Sequence, residues 1–293
     1  ERKKMLARGV CVARSALGLS SSRALYSSFV QAEPSVLLSK DKTNPSIAII
    51  TLNKPDKLNS LSVSVGETFK TVVEEIKADK EVRAVVVTGS GRAFSAGGDL
   101  QFLLDRTRST SEQNVEEMVR FYKRFLSIRS LHVPTLAAIN GAAVGAGMCL
   151  ALACDLRPAI ATNAKLSVNF VRLGLHPGLA STYFLPRLIG PHAAAQLLLT
   201  GETIDAQTAQ RLGIVSEVKP AEEVLEYTLS VANKIASASP VAVQSLLHTL
   251  RKRLDADLEF SLLDEAEGQA VSYASPDILE GLKAISEKRD PKF

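Results

Sequence analysis

Two stretches decide how this chain is read: GRAFSAGGDL at residues 91–100 and NGAAVGAGMCLALACD at residues 140–155. Each follows an apolar, strand-like run, at 82–88 and 135–139, and each is a small-residue loop feeding what reads as a helix start. Glycine and alanine let a backbone come close to a ligand. Free N–H groups at a helix N-terminus attract negative charge. Two of them converging on one point form an oxyanion hole. The plainer reading of the glycines alone is a pair of tight turns between core elements.

Outward from these loops the pattern is α/β. Residues 46–52 (SIAIITL) form a β-rich strand, and 53–56 (NKPD) a turn. Ser62 is placed to cap a helix carrying Val65, Phe69, Val72, Val73 and Ile76 at helical spacing. The continuous apolar run at 82–88 suits a strand buried on both faces. Residues 100–110 read as a charged, mobile connection, and 111–130 as an amphipathic helix with Val115, Met118, Val119, Tyr122, Phe125 and Leu126 on one face. Strand, helix, strand, helix implies right-handed crossovers in one domain. From residue 221 the pattern is helical, over 221–237, 240–254, 258–274 and 278–288.

Composition is that of an ordinary globular chain, 46% apolar and 23% charged. No apolar run reaches the roughly 18 residues of a membrane span. Residues 5–29 differ: they hold Arg8, Arg14, Arg23, many serines and no acid, the composition of a mitochondrial transit peptide. The alternative is a disordered basic tail. Residues 1–28 hold six basic side chains and one acidic, which leaves the rest of the chain at −1 of a total of +4. A near-neutral remainder carries no electrostatic footprint for nucleic acid. Of three cysteines, Cys149 and Cys154 fall in an apolar helix, where inert packing is the default, and no metal-ligand spacing occurs.

AFSAGGDL, followed by VPTLAAINGAAVGAGMCLALACDLR, resembles the crotonase superfamily (enoyl-CoA hydratase/isomerase). TLNKPDKLNSL, LTGETIDAQTAQRLGIVSEV and the closing EGLKAISEKRDPKF fit as well, so the resemblance runs from about Ser46 to the C-terminus. It implies a crotonase-type spiral of repeated ββα units, although no sequence repeat shows the spiral independently. The implied organisation is a transit peptide at 1–28, an N-terminal extension at 29–45, the core at 46–220 and a helical trimerisation section at 221–293. A homotrimer or dimer of trimers in the mitochondrial matrix is expected, with a larger mitochondrial assembly as a further partner and no cofactor beyond a CoA thioester as substrate or ligand.

By motif position the resemblance puts the two oxyanion-hole N–H groups on Gly98 and Ala146. The second position usually holds glycine in the family. Ala96, Asp99, Leu100 and Gln101 correspond to the adenine and pantetheine channel, with Lys54, Lys57 and Leu58 on the loop beside it. The lysines suit CoA phosphates, or are ordinary solvated loop residues.

The chain departs from the family at the acid–base groups. Cys149 and Phe170 stand where hydratases carry glutamates, and one-glutamate isomerases keep the second. Between residues 141 and 200 the one carboxylate is Asp155, in a position that suits a structural role. Replacement candidates are Cys149, Asn169, Arg172, His176, Ser181 and Tyr183. His176 has the titration range for acid–base work, or is a turn residue facing outward. Arg172 suits a carboxylated acyl group, as in decarboxylation of a malonyl-type ester, or a salt bridge. TYFLPRL at 182–188 resembles 3-hydroxyisobutyryl-CoA hydrolases, which carry a glutamate at the position of Phe170 and an aspartate at that of Gly178. Two expectations remain open: an enzyme acting on an acyl-CoA in fatty-acid or branched-chain metabolism, or an inactive crotonase serving as a structural or regulatory subunit.

Overall fold

The computed structural model describes residues 33–293; the transit-peptide reading of residues 1–28 lies outside them. In chain order the elements are β1 (Val36–Lys40), β2 (Ile47–Leu52), α1 (Val63–Ala78), β3 (Ala84–Gly89), β4 (Ala93–Ser95), α2 (Leu100–Arg106) and α3 (Ser111–Leu126). Next come β5 (Thr135–Ile139), β6 (Ala142–Val144), α4 (Ala146–Ala153), β7 (Leu156–Ala161), β8 (Lys165–Ser167), α5 (Ser181–Ile189) and α6 (Pro191–Thr200). The chain ends with β9 (Thr203–Asp205), α7 (Ala206–Arg211), β10 (Glu217–Lys219), α8 (Val224–Ala236), α9 (Pro240–Leu254), α10 (Leu258–Ala274) and α11 (Asp277–Ser286).

Every residue of β3 and of β5 is buried, as their unbroken apolar runs require. They lie side by side in a six-stranded sheet of order β1-β2-β3-β5-β7-β10, parallel except for β1 against β2. A second sheet runs β4-β6-β8-β9. Three successive strand pairs, β3/β4, β5/β6 and β7/β8, each place the first strand in the larger sheet and the second in the smaller. That recurrence, with helices after each pair, is the ββα spiral.

Two readings change. β1, from the stretch taken as an extension, pairs along its whole length with β2, from Val36 opposite Leu52 to Lys40 opposite Ala48. The stretch taken as a mobile connection contains α2, because the Asp99 carboxylate accepts the Gln101 and Phe102 N–H groups at 3.1 and 3.2 Å and caps it. The C-terminal helices, read as an oligomerisation section, also pack against their own chain: α8 on β7, β3 and β5, and α10 along α3. The Ser62 cap is present, and all five apolar positions named for α1 are buried.

Candidate active site

β4 and β6 are parallel neighbours in the smaller sheet, so the loops leaving their C-terminal ends emerge together. Gly97 makes the close approach possible. Its φ is +96°, and a Cβ there would lie 2.6 Å from the Val144 carbonyl oxygen and 3.6 Å from the Ala146 nitrogen. The next residue, Gly98, is flanked by two hydrogen bonds to Leu61: Leu61 N–H to Gly97 O at 2.7 Å and Asp99 N–H to Leu61 O at 2.9 Å. The alternation of a strand therefore turns the N–H of Gly98 away from Leu61. Ala146 is the first residue of α4, where a helix leaves its N–H without an internal acceptor. Neither N–H has a hydrogen-bond partner among the described residues.

Both residues line a cavity of about 510 Å³. Lys57, Leu58, Ala96, Asp99, Leu100 and Gln101 line it too, as do Phe170, Gly178 and Asn169. Its walls are apolar, with Phe102 stacked on Phe121 at 4.7 Å between ring centroids. Two adjoining backbone donors at the wall of an apolar hollow can stabilise an oxygen that gains negative charge.

The enoyl-CoA hydratase/isomerase sequence model matches residues 42–293. A 2,3-dehydroadipyl-CoA hydratase of Escherichia coli is 33% identical over 247 residues, 84% of this chain and 94% of that protein. An enoyl-CoA hydratase crystal structure from Bacillus halodurans superposes with a TM-score of 0.78 at 26% identity, covering 85% of this chain and 99% of that one. One from Mycobacterium avium subsp. paratuberculosis K-10 gives 0.77 at 28% identity, covering 88% and 98%.

The chain belongs to the enoyl-CoA hydratase/isomerase family. Within that family its replacement candidates fare badly. Cys149 is fully buried and outside the cavity lining, with its thiol donating to the Gly145 carbonyl at 3.1 Å. Burial pushes the thiol well above its ordinary ionisation range, so it is neither base nor nucleophile. His176 is also outside the lining; its Nδ1 lies 2.6 Å from the Pro177 carbonyl, and its ring packs on Gly268 of α10. Arg172 is half exposed and pairs with Asp290 at 2.6 Å, not with the cavity. The carboxylate-binding role considered for Arg172 and the acid–base role considered for His176 therefore have no geometric basis. Lys54 lies outside the lining as well, as do Ser181 and Tyr183, whose hydroxyl donates to the Leu254 carbonyl. Asp99 is the only carboxylate among the lining residues, and it is engaged in capping α2.

Asp155 is structural. Its two oxygens accept from Arg129, Arg251 and both the N–H and the hydroxyl of Thr135, tying α9 to β5 and the end of α4.

Three residues near the cavity escaped the sequence reading. Tyr122 was placed on an apolar helix face and Gln269 in an oligomerisation helix, yet both line the cavity. Glu265, one turn before Gln269, is fully buried. Its Oε2 accepts the Ala180 N–H at 2.7 Å, and its Oε1 accepts the Thr182 N–H at 2.9 Å and the Thr182 hydroxyl at 2.6 Å. It thus caps α5 from another helix, where Leu179 and Ala180 hold positive φ of 56° and 61°. A polar residue within an apolar helical stripe is the signal that would have found Tyr122, since a buried phenol seeks a partner.

Burial pushes Glu265 from the ordinary carboxylate range up to about 7, against the pull of its hydrogen bonds from Thr182 and Ala180. Between about pH 4.5 and 7 the unfolded chain has released this proton while the folded one keeps it. Stability from this group is therefore full below that window and declines across it, by about 3 kcal/mol. Urea unfolding at pH 5 and pH 8 checks this: the drop should shrink in Glu265→Gln. Equal drops in both proteins would mean that Glu265 titrates as it does unfolded.

Proposed function

We propose that this protein binds an acyl-CoA thioester in the cavity, with the thioester carbonyl oxygen between the N–H groups of Gly98 and Ala146. The observation that carries this reading is the pair of unpartnered donors on adjoining loops at the cavity wall. The N-terminal end of α4 adds its dipole to the same point. Ala96, Leu58, Leu100 and Gln101 would flank the pantetheine arm, and Lys57 would face the phosphates. Two-glutamate hydration is not the reaction, because Cys149 and Phe170 replace both carboxylates and an acid–base group contributes about 10²–10⁴-fold. What the site retains is stabilisation of an enolate or tetrahedral oxyanion, the demand shared by isomerase, decarboxylase, hydrolase and lyase reactions of thioesters.

The test is a panel of enoyl-, 3-hydroxyacyl-, malonyl- and saturated acyl-CoA esters incubated with the protein, with products read by mass spectrometry and affinities by calorimetry. Binding with conversion of one ester supports an enzyme. Binding without conversion supports the second reading, a non-catalytic crotonase acting as a structural subunit, which the loss of both carboxylates favours. An absence of binding throughout would sink both.

We place the protein in the mitochondrial matrix on the composition of residues 5–29. The relatives compared are bacterial, and their matches cover 84–88% of the chain. We infer a homo-oligomer, because α9 and α10 leave Val241, Leu246, Leu250, Phe260 and Val271 exposed. Sedimentation of the same preparation as a monomer at micromolar concentration would contradict it.

A further inference from the structure

The register of the smaller sheet brings one further side chain to the oxyanion loops. β8 lies parallel to β6, with Val144 opposite Ser167, and the Gly145 N–H donates to the Ser167 carbonyl at 2.8 Å. The chain then enters a 3₁₀ turn at Asn169–Leu173, so Asn169 stands against the loop that carries Ala146. Asn169 is half-buried and lines the cavity. Of the side chains considered as replacements for the missing glutamates, it is the one that does.

The backbone of Gly145 locates its carboxamide. At ψ −124° the Cα–Cβ direction of that residue turns into the plane of the next peptide, beside the Ala146 N–H, a clash that excludes most side chains from this conformation. A Cβ built there marks the place that an oxygen accepting from Ala146 would take. It lies 3.4 Å from Asn169 Oδ1, and among the described residues nothing else beyond the two chain neighbours comes within 4 Å. The carboxamide therefore borders the space in front of the N–H. It takes part in no hydrogen bond among the described residues. A half-turn about its terminal torsion brings Nδ2 to the place of Oδ1 and breaks no bond.

A carboxamide does not titrate in the range of acid–base catalysis, so Asn169 does not restore the chemistry of a glutamate. What it supplies is two N–H donors, and side-chain amides serve beside backbone N–H groups where an oxygen gains charge. We propose that Asn169 is a third hydrogen-bond donor of the oxyanion hole, touching the thioester oxygen together with Gly98 and Ala146. The proposal rests on the acyl-CoA reading above and adds a side chain to its hole. Because the amide bonds nothing in the folded chain, its removal costs no internal hydrogen bond, and a loss on substitution is a loss of ligand contact.

The experiment uses butyryl-CoA labelled with carbon-13 at the thioester carbonyl. Infrared difference spectra of the bound ester, calorimetric affinities and melting temperatures are taken for the unaltered full chain, Asn169→Leu and Asn169→Asp. Binding to the unaltered protein should move the carbonyl band to lower wavenumber, the mark of a polarised carbonyl. In Asn169→Leu that displacement should shrink and the affinity fall about threefold to tenfold, the worth of one neutral hydrogen bond. Asn169→Asp keeps the shape but sets an anion against the oxygen, so it should bind more weakly still. Both melting temperatures should stay within about 2 °C of the unaltered value. Any ester that the protein converts should lose about 10²–10³-fold in kcat in Asn169→Leu. A band and an affinity that survive in both variants would overturn the proposal and leave the two-donor hole intact. Loss of the fold in both would show the amide to be structural and overturn it as well. A band unmoved in the unaltered protein, with butyryl-CoA bound, would remove the hole while leaving acyl-CoA binding. Butyryl-CoA that fails to bind would take away the thioester pose itself, and the proposal falls with either.

Discussion

Replacing Ala146 by proline should slow any acyl-CoA conversion by this protein about 10²–10³-fold, the usual loss on deleting one oxyanion-hole donor. The substitution is well placed for the question. Ala146 is the first residue of α4, and proline is favoured at the first helical position, where its missing N–H removes no helical bond. The preceding residue, Gly145, holds φ 50° and ψ −124°, the mirror image of the extended conformation preferred before proline, which glycine adopts without strain. The one thing removed is the N–H at the cavity wall, and the ring adds bulk at the same point. The melting temperature should stay close to that of the unaltered protein. Turnover at the normal rate in a folded Ala146→Pro variant would remove Ala146 from the hole.

Asp155→Ala should cost about 3–5 kcal/mol of stability, the usual result of breaking a buried ion pair from one side. Asp155 sits between two guanidiniums, with Arg129 at 3.0 Å and Arg251 at 2.5 Å, and the Arg side chains are only 9% and 10% exposed. Removing the carboxylate leaves both charges buried, with Asp255 as the remaining anion beside Arg129. Burial works to raise the Asp155 pKa, but the hydrogen bonds and charges of Arg251 and Arg129 outweigh it and hold the carboxyl below its ordinary range. The unfolded chain therefore takes up this proton first as pH falls. The stability it contributes is present above the ordinary aspartate range and is lost on acidification through the lower, folded value. Denaturant unfolding of both proteins at neutral pH measures the loss. A difference under about 1 kcal/mol would mean that the triad is no stronger than surface pairs.

The two effects fall on opposite sides of what could be read along the chain. Asp155 was legible as structural because the resemblance puts it in a position that the family keeps whatever the reaction. The two guanidiniums were not legible, since Arg129 and Arg251 come from a turn after α3 and from α9. Gly98 and Ala146 were legible through the resemblance of their two loops to the family's motifs, and the local order of strand, small residues and helix start is consistent with backbone N–H groups left unpaired there. The candidates to replace the missing glutamates were chosen by proximity in sequence, and proximity misled. Arg172 and Gly178 are near neighbours, yet one pairs with Asp290 at the surface and the other lies under Tyr122 and Gln269. A short 3₁₀ turn at Asn169–Leu173 sends its side chains in different directions, so Phe170 lines the cavity while Arg172 leaves it.

By itself the sequence determined the elements of this protein and the backbone of its site. Continuous apolar runs made buried parallel strands, Ser62 and Asp99 were available as caps, and glycine-rich loops after two strands left donors free. Those are properties of neighbours along the chain, set by backbone sterics and local hydrogen bonding. Only the tertiary structure decided which side chains meet in the cavity. Tyr122 lies on α3, far in sequence from Glu265 and Gln269 on α10, and nothing local marks it as their companion. Packing α10 along α3 buried them together, and burial turned an ordinary phenol, carboxylate and amide into a desolvated polar cluster beside the cavity.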